Sequence, residues 1–229
     1  MVRTHQNMST AFVVLLTVLF RGLSFSQQFE GVIETKNSTI DERGMPQQFT
    51  MTMYVKHDMV RIQNSAVGTS PASTMIYRGD MKVVWILDEG GKSYFEIRQD
   101  EQPQEVHPPL TSDSKPPVMK KTGKKKQVLG YTCEQIRIID NDQVTEIWAT
   151  KSLGDLFRTM STVLGSEGTG QEWENKIMKM GYYPLLASTS EGGKVMESQE
   201  ITKVEKKRLP PDLFELPAGY IKQTNEMMK

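Results

Sequence analysis

Short runs of alternating apolar and polar residues, each closed by a turn signal, constrain the fold of this 229-residue chain most strongly. The clearest run is 49–56 (Phe-Thr-Met-Thr-Met-Tyr-Val-Lys), where apolar side chains recur at every second position. Because successive side chains of a strand point to opposite faces, this period of two predicts a strand with one apolar face. Turn pairs at 57–58 (His-Asp), 79–80 (Gly-Asp) and 141–142 (Asn-Asp) separate further runs. The chain is therefore expected to be mainly β.

About ten such strands can be counted between residues 29 and 220, and 127–130, 133–140 and 143–150 are three of them. A sheet of this size tends to curl or close, because its edges are otherwise left unpaired. We therefore expect a curled antiparallel sheet of about ten strands.

The segment 151–181 changes period and predicts a helical insertion. Its first helix begins near Ser152, and Gly165 supplies a stop. One face of that helix is formed by Leu153, Leu156, Phe157, Met160 and Leu164. A second helix is predicted over 171–180, with Trp173, Ile177 and Met180 on one side. Two amphipathic helices in a β protein must lay their apolar faces on the sheet, and we expect them to act there either as a lid over a cavity or as a fixed plug.

The first 26 residues have the pattern of a signal peptide. A weakly basic start with Arg3 precedes an apolar run at 11–20, which is too short to span a bilayer comfortably. Small residues at Ser24 and Ser26 match the positions that a signal peptidase reads. We expect cleavage near Ser26 and an exported, soluble protein in the periplasm or outside the cell.

Residues 99–118 are expected to form a mobile loop. They hold five prolines among polar residues, a composition that favours extended, solvated backbone and cannot pack a core. A loop of this length within a domain is usually functional or disordered, and here we expect disorder.

The charge balance argues against nucleic acid as a partner. The whole chain has 28 basic and 28 acidic residues, and removal of residues 1–26 takes away Arg3 and Arg21 but no acid. Binding to nucleic acid needs a strong positive field, which a balanced chain lacks. The basic run 120–126 is a local exception, in which Lys124, Lys125 and Lys126 are either a solvated hairpin or a contact for an anionic surface or envelope protein.

Catalytic and metal-binding patterns are weak. His57 falls in a turn and His107 in the proline-rich loop, and neither has ligand spacing typical of zinc. The single cysteine, Cys133, is expected to be a small buried side chain. We predict that the protein is not an enzyme and uses no metal or cofactor.

Five segments carry a resemblance to a known family. They are 120–138 (KKTGKKKQVLGYTCEQIRI), 146–153 (EIWATKSL), 181–185 (GYYPL), 201–204 (ITKV) and 214–220 (FELPAGY). Their order resembles an uncharacterised family of exported bacterial proteins with a DUF4412-type domain, which is related in fold to the LolA and LolB lipoprotein carriers. The resemblance implies one LolA/LolB-like β domain over 27–229, a half-open barrel with helices on its concave side, and a cavity for acyl chains.

An apolar lining is the predicted functional site. If the sheet curls, the candidate residues are Met51, Met53, Val55, Val83, Trp85, Leu87, Phe95 and Ile97 from the strands, with Phe157, Met160, Trp173 and Ile177 from the helices. Such a lining suits a lipid, an acylated protein or another hydrophobic ligand. The alternative is an envelope interaction module whose core is dry and plugged.

Overall fold

One large sheet organises the chain. The computed structural model describes residues 29–41, 43–68, 70–98, 117–153, 156, 177 and 179–223. Within them lie twelve strands: β1 (Glu30–Ile40), β2 (Pro46–Lys56), β3 (Met59–Asn64), β4 (Ser73–Arg78), β5 (Val83–Asp88), β6 (Ser93–Arg98), β7 (Val118–Val128), β8 (Tyr131–Asp140), β9 (Gln143–Thr150), β10 (Tyr183–Glu191), β11 (Lys194–Lys206) and β12 (Ile221–Lys222).

The sheet consists of two antiparallel meanders joined side by side. Its strand order is β12-β6-β5-β4-β3-β2-β1-β11-β10-β9-β8-β7. The meanders meet where β1 pairs antiparallel with β11, and β12 adds a short parallel strand to β6. Because β7 and β12 stand at opposite ends of this order, the curled sheet is unclosed. The prediction of a mainly β, curled antiparallel sheet is confirmed, with twelve strands rather than about ten.

The basic run forms part of a strand, so the predicted strand at 127–130 is wrong. The run lies inside β7, which continues to Val128, and the following turn consists of Leu129 and Gly130. A shift in register between Lys121 and Lys125 marks a bulge in β7. Since residues 120–127 of this edge strand are exposed on both faces, their sequence has no apolar alternation from which a strand could be predicted.

The predicted pair of helices is not supported. Of the insertion 151–181 the structure describes 151–153, 156, 177 and 179–181, so both predicted helices lie largely outside the described residues. The helical element described in full is a short 3-10 helix, Pro211–Phe214. No helix in the described part of the chain is long and apolar enough to cross a membrane.

Two other predictions fall on residues that are not described. These are the signal peptide at 1–26 and the proline-rich loop, of which residues 99–116 lie outside the described ranges. Val118, the last residue of that predicted loop, is instead the first residue of β7. The single domain at 27–229 stays a prediction.

Candidate ligand-binding face

One face of strands β1 to β5 is covered by the segment that follows β11, here called the C-terminal strap (residues 207–223). Leu209 and Phe214 of the strap are buried in a cluster with Val32, Ile76 and Trp85. Phe214 is fully buried. This surface, the strap face, is therefore sealed by apolar contacts within the chain.

Polar side chains of the sheet bind the strap at several points. The Glu30 carboxylate accepts a 2.7 Å hydrogen bond from the backbone N–H of Leu209, which holds the pKa of Glu30 below its ordinary value. Arg61 donates to the carbonyl of Leu213 at 3.2 Å. Arg78 forms a 2.6 Å ion pair with Glu215. These contacts fix both the path and the register of the strap over the sheet.

The end of the strap is held by Glu96 on β6. Its carboxylate accepts a 2.9 Å hydrogen bond from Lys222 and a 3.2 Å hydrogen bond from the Trp85 indole. The hydrogen bond from Lys222 is the largest cause of the lowered pKa of Glu96. Burial acts in the opposite direction, and the hydrogen bond from Trp85 lowers the pKa further. Trp85 therefore lies on the strap face, where its indole N–H is bonded to Glu96.

The opposite face of the same strands carries two rows of apolar side chains, and we call it the apolar face. Residues paired directly across antiparallel strands share a face, so the register identifies each row. The first row is Ile33, Met53, Ile62, Met75, Ile86 and Phe95, running from β1 to β6. The second is Val55, Val60, Tyr77, Val84 and Ile97, running from β2 to β6.

Burial along the apolar face decreases from the centre of the sheet toward β6. In the first row Ile33 is 0 % exposed and Met53 3 %, whereas Met75 and Ile86 are half-buried and Phe95 is 39 % exposed. The second row changes in the same way, from fully buried Val55 to half-buried Ile97. The apolar face therefore reaches solvent over β4, β5 and β6.

A buried hydroxyl without a partner lies at the other end of this face. Thr35 is 1 % exposed, and its Oγ1 makes no hydrogen bond. It is in register with Met51 on β2 and with Ile201 on β11, so its surroundings are largely apolar. An unsatisfied buried hydroxyl costs about 1–3 kcal/mol, which a ligand group that hydrogen-bonds to it would offset. Thr35 is not singled out by the sequence analysis, because the surroundings of its side chain depend on the pairing of strands that are distant in sequence.

The structure brings some of the predicted lining residues together and separates others. Met51, Met53 and Phe95 lie on the apolar face, and Val55 and Ile97 share it. Trp85 lies on the strap face, in register with Ile76 and Glu96. Val83 and Leu87 are on that face as well. The sequence could not separate them, because β5 is apolar at nearly every position.

The lining residues predicted on helices are mostly not described. Phe157, Met160 and Trp173 lie outside the described residues. Ile177 is buried, but in a cluster with Ile136, Ile147 and Tyr182 in the second meander. Leu156 is fully buried in the cluster that contains the centre of the apolar face.

Basic side chains of β7 are arranged around aromatic rings. Lys121 donates a 3.0 Å hydrogen bond to the Tyr182 hydroxyl, which in turn donates a 2.5 Å bond to Glu134. The Tyr182 contact raises the pKa of Lys121 and lowers the pKa of Glu134. Lys126 lies over the ring of Trp148, 4.3 Å from its centre. Lys121 and Lys126 therefore each place their ammonium group against an aromatic ring.

Cys133 and His57 occupy structural positions. Cys133 is fully buried, and burial raises the pKa of its thiol, as expected for a small core side chain. His57 is exposed in the turn between β2 and β3. Among the described residues, no three His, Cys, Asp or Glu side chains are grouped so that they could hold a metal ion.

Several solved structures align with most of the chain at low sequence identity and low TM-score. An uncharacterised conserved protein from Thermus thermophilus aligns over 92% of this chain and 99% of its own, with 9% identity and a TM-score of 0.48. A LolA superfamily protein from Nitrosomonas europaea aligns over 82% and 91%, with 7% identity and a TM-score of 0.34. A putative outer membrane lipoprotein-sorting protein domain from Vibrio parahaemolyticus aligns over 89% and 94%, with 8% identity and a TM-score of 0.22. No curated protein matches the sequence.

A family profile covers nearly the whole described sheet. The profile of a domain of unknown function, DUF4412, matches residues 29–220. This range begins one residue before β1 and includes the strap as far as Tyr220. The match confirms the resemblance drawn from the sequence motifs. The chain belongs to the DUF4412 family.

Proposed function

We propose that this chain is a non-catalytic exported protein whose apolar face binds a hydrophobic ligand such as a lipid or an acyl chain. The observation that carries the proposal is the decrease in burial from Met53 to Phe95 along one row of paired apolar side chains. Contiguous apolar surface that reaches solvent is uncommon in monomeric proteins and marks binding sites.

The dimensions of the open part of the face favour an elongated ligand. Neighbouring strands are about 4.8 Å apart, so the half-buried and exposed positions from β4 to β6 span about 10 Å. An acyl chain lying across Met75, Ile86 and Phe95 would remove apolar surface from water along its whole length. Each square ångström so buried contributes about 25 cal/mol.

The proposed compartment rests on the signal-peptide pattern of residues 1–26. A carrier of hydrophobic ligands in the periplasm or outside the cell needs an apolar binding surface, and the apolar face offers one over β4, β5 and β6.

Mass spectrometry of the exported protein, purified without detergent, tests the proposal directly. Native spectra followed by organic extraction should reveal a bound lipid, fatty acid or acylated peptide. A mass equal to that of the bare chain in repeated preparations would contradict the proposal and favour the alternative of an envelope interaction module with a plugged core.

A pair of variants locates the ligand on the apolar face. Phe95→Gln should weaken binding of a fluorescent fatty acid about tenfold, since it removes an exposed aromatic ring from the row. Val195→Gln is the matched control, because Val195 is 52 % exposed on β11 in the second meander, away from β4, β5 and β6. Equal loss in both variants, or loss in neither, would place the ligand elsewhere.

A further inference from the structure

The turn between β7 and β8 has an apolar side chain in a backbone conformation that normally excludes it. Leu129 has a φ of 51° and Gly130 a φ of 80°, so both residues of this two-residue turn are left-handed. Turns of this type strongly prefer Asn, Asp or Gly at the first position. Five described non-glycine residues have positive φ, namely His57, Lys82, Lys92, Leu129 and Asn141, and Leu129 is the apolar one among them.

Leu129 is also exposed at the tip of the hairpin. Its side chain and backbone together are 45 % exposed. Its neighbours Val128 and Tyr131 pack against the cluster that contains Met53 and Val60 of the apolar face. The residues that flank the tip are therefore anchored on the core, while Leu129 itself is left exposed to solvent.

The hairpin behind this tip has a concentrated positive charge. Between Val118 and Tyr131 the chain has five lysines and no acidic residue. Lys125 pairs with Glu134 at 3.5 Å, whereas no ion pair to Lys120 or Lys124 is found in the described part of the chain. Lysines on an edge strand also prevent edge-to-edge pairing. Edge protection accounts for the charge, but not for an exposed leucine with left-handed backbone at the tip.

We propose that the β7–β8 hairpin docks the protein on an anionic phospholipid surface, with Leu129 inserted among the acyl chains and the lysines of β7 on the headgroups. An apolar tip beside a basic surface is complementary to such a bilayer, whose headgroups are negative and whose interior is apolar. The proposal rests on the proposed function, since docking would bring the apolar face to the source of its ligand. An acidic protein partner would attract the lysines but offers no apolar layer to an isolated leucine.

Sedimentation with lipid vesicles tests this docking. The chain is expressed from residue 1, recovered after export, and mixed with vesicles of phosphatidylcholine containing phosphatidylglycerol or with phosphatidylcholine alone. We expect binding to the anionic vesicles, little binding to the neutral ones, and a decrease of binding with added salt, because exposed charges are screened.

Leu129→Asn separates docking from folding. Asn suits the left-handed position better than Leu, so the variant should fold at least as well while losing about tenfold in vesicle affinity. Val195→Asn is the matched control, because Val195 is 52 % exposed beside the β10–β11 turn, at the opposite end of the strands. Binding of the fluorescent fatty acid in solution should be unchanged in both variants.

The charge is tested by Lys124→Ala, Lys125→Ala and Lys126→Ala together, which should weaken vesicle binding about a hundredfold at low salt. Lys126 packs on Trp148, so its replacement also removes a packing contact. The double variant Lys120→Ala with Lys124→Ala removes charge without touching a described contact, and it should weaken vesicle binding about thirtyfold. Replacement of Lys82, Lys92 and Lys194 by Ala, in or beside other exposed turns, should have little effect.

Absence of binding to anionic vesicles by the unmodified chain would overturn the proposal. Vesicle binding that survives Leu129→Asn and both lysine variants would overturn it as well. Capture of a poly-glutamate peptide instead of vesicles would assign the hairpin to an acidic protein partner. Each of these results can occur with fatty-acid binding intact, so failure of the docking proposal is distinct from failure of the proposed function.

Discussion

The two faces of strands β1 to β6 are made by the same alternating sequence but are completed differently. On the strap face, Phe214 and Leu209 cover Trp85 and Ile76, and carboxylates and guanidinium groups bind the strap backbone. On the apolar face, burial declines along each row until Phe95 is exposed. The difference shows that alternation makes two surfaces available, whereas the chain segments that return over the sheet decide which of them is sealed.

This comparison assigns different roles to the two faces. A face that is sealed by contacts within the chain contributes mainly to the free energy of unfolding. A face that is apolar but incompletely covered retains surface whose burial by another molecule is favourable. Variants on the two faces should therefore separate stability from ligand binding.

The largest expected effect follows from emptying the centre of the strap face. Phe214→Ala removes a fully buried ring and should lower the free energy of unfolding by about 3–5 kcal/mol. Urea denaturation followed by circular dichroism measures the change. Fatty-acid affinity of the folded fraction should be unaffected, and a loss of affinity comparable with that of Phe95→Gln would break the distinction between the faces.

Acidification should loosen the strap by a smaller amount. The pKa values of Glu30 and Glu96 are lowered in the fold, so their contribution is complete above the ordinary glutamate value of 4.5 and is lost as the pH falls through the lowered values. We expect the thermal midpoint to decrease between pH 6 and pH 3.

Glu30→Gln tests the cause of that decrease. The amide keeps an acceptor for the N–H of Leu209 but cannot titrate, and the lost charge should cost about 1 kcal/mol at pH 7. The variant should therefore lose less stability than the unmodified chain on acidification. The same slope in both proteins would exclude Glu30 as a contributor.

The smallest expected effect is on the open edge of the apolar face. Phe95→Gln should change the free energy of unfolding by less than about 0.5 kcal/mol, because the ring is already partly in water. Thermal melts with and without fatty acid measure this. Stabilisation by the ligand should be clear in the unmodified chain and reduced in the variant, and equal stabilisation would mean that the ring does not touch the ligand.

Sequence reasoning succeeded where the signal was local. The strand expected over 143–150 coincides with β9, because the Asn141–Asp142 turn signal directly precedes it. It failed at β7, where five lysines conceal an edge strand, and at 127–130, where Leu129 stands in a turn that favours Asn or Gly. Of the predicted site, Met51, Met53 and Phe95 share one face, whereas Trp85 could not be assigned to a face within the uniformly apolar β5.

By itself, the sequence determined that this chain is mainly β and that it belongs to the DUF4412 family, because alternation, turn residues and motif order are properties of neighbouring positions. Only the tertiary structure decided that β1 joins the two meanders by pairing with β11, and that the strap returns over one face of the first. Both events connect residues far apart in the sequence, and the hydrogen bond from Lys56 to the carbonyl of Leu209 spans 153 positions. Such contacts depend on the register and curvature of the whole sheet, which no local pattern specifies.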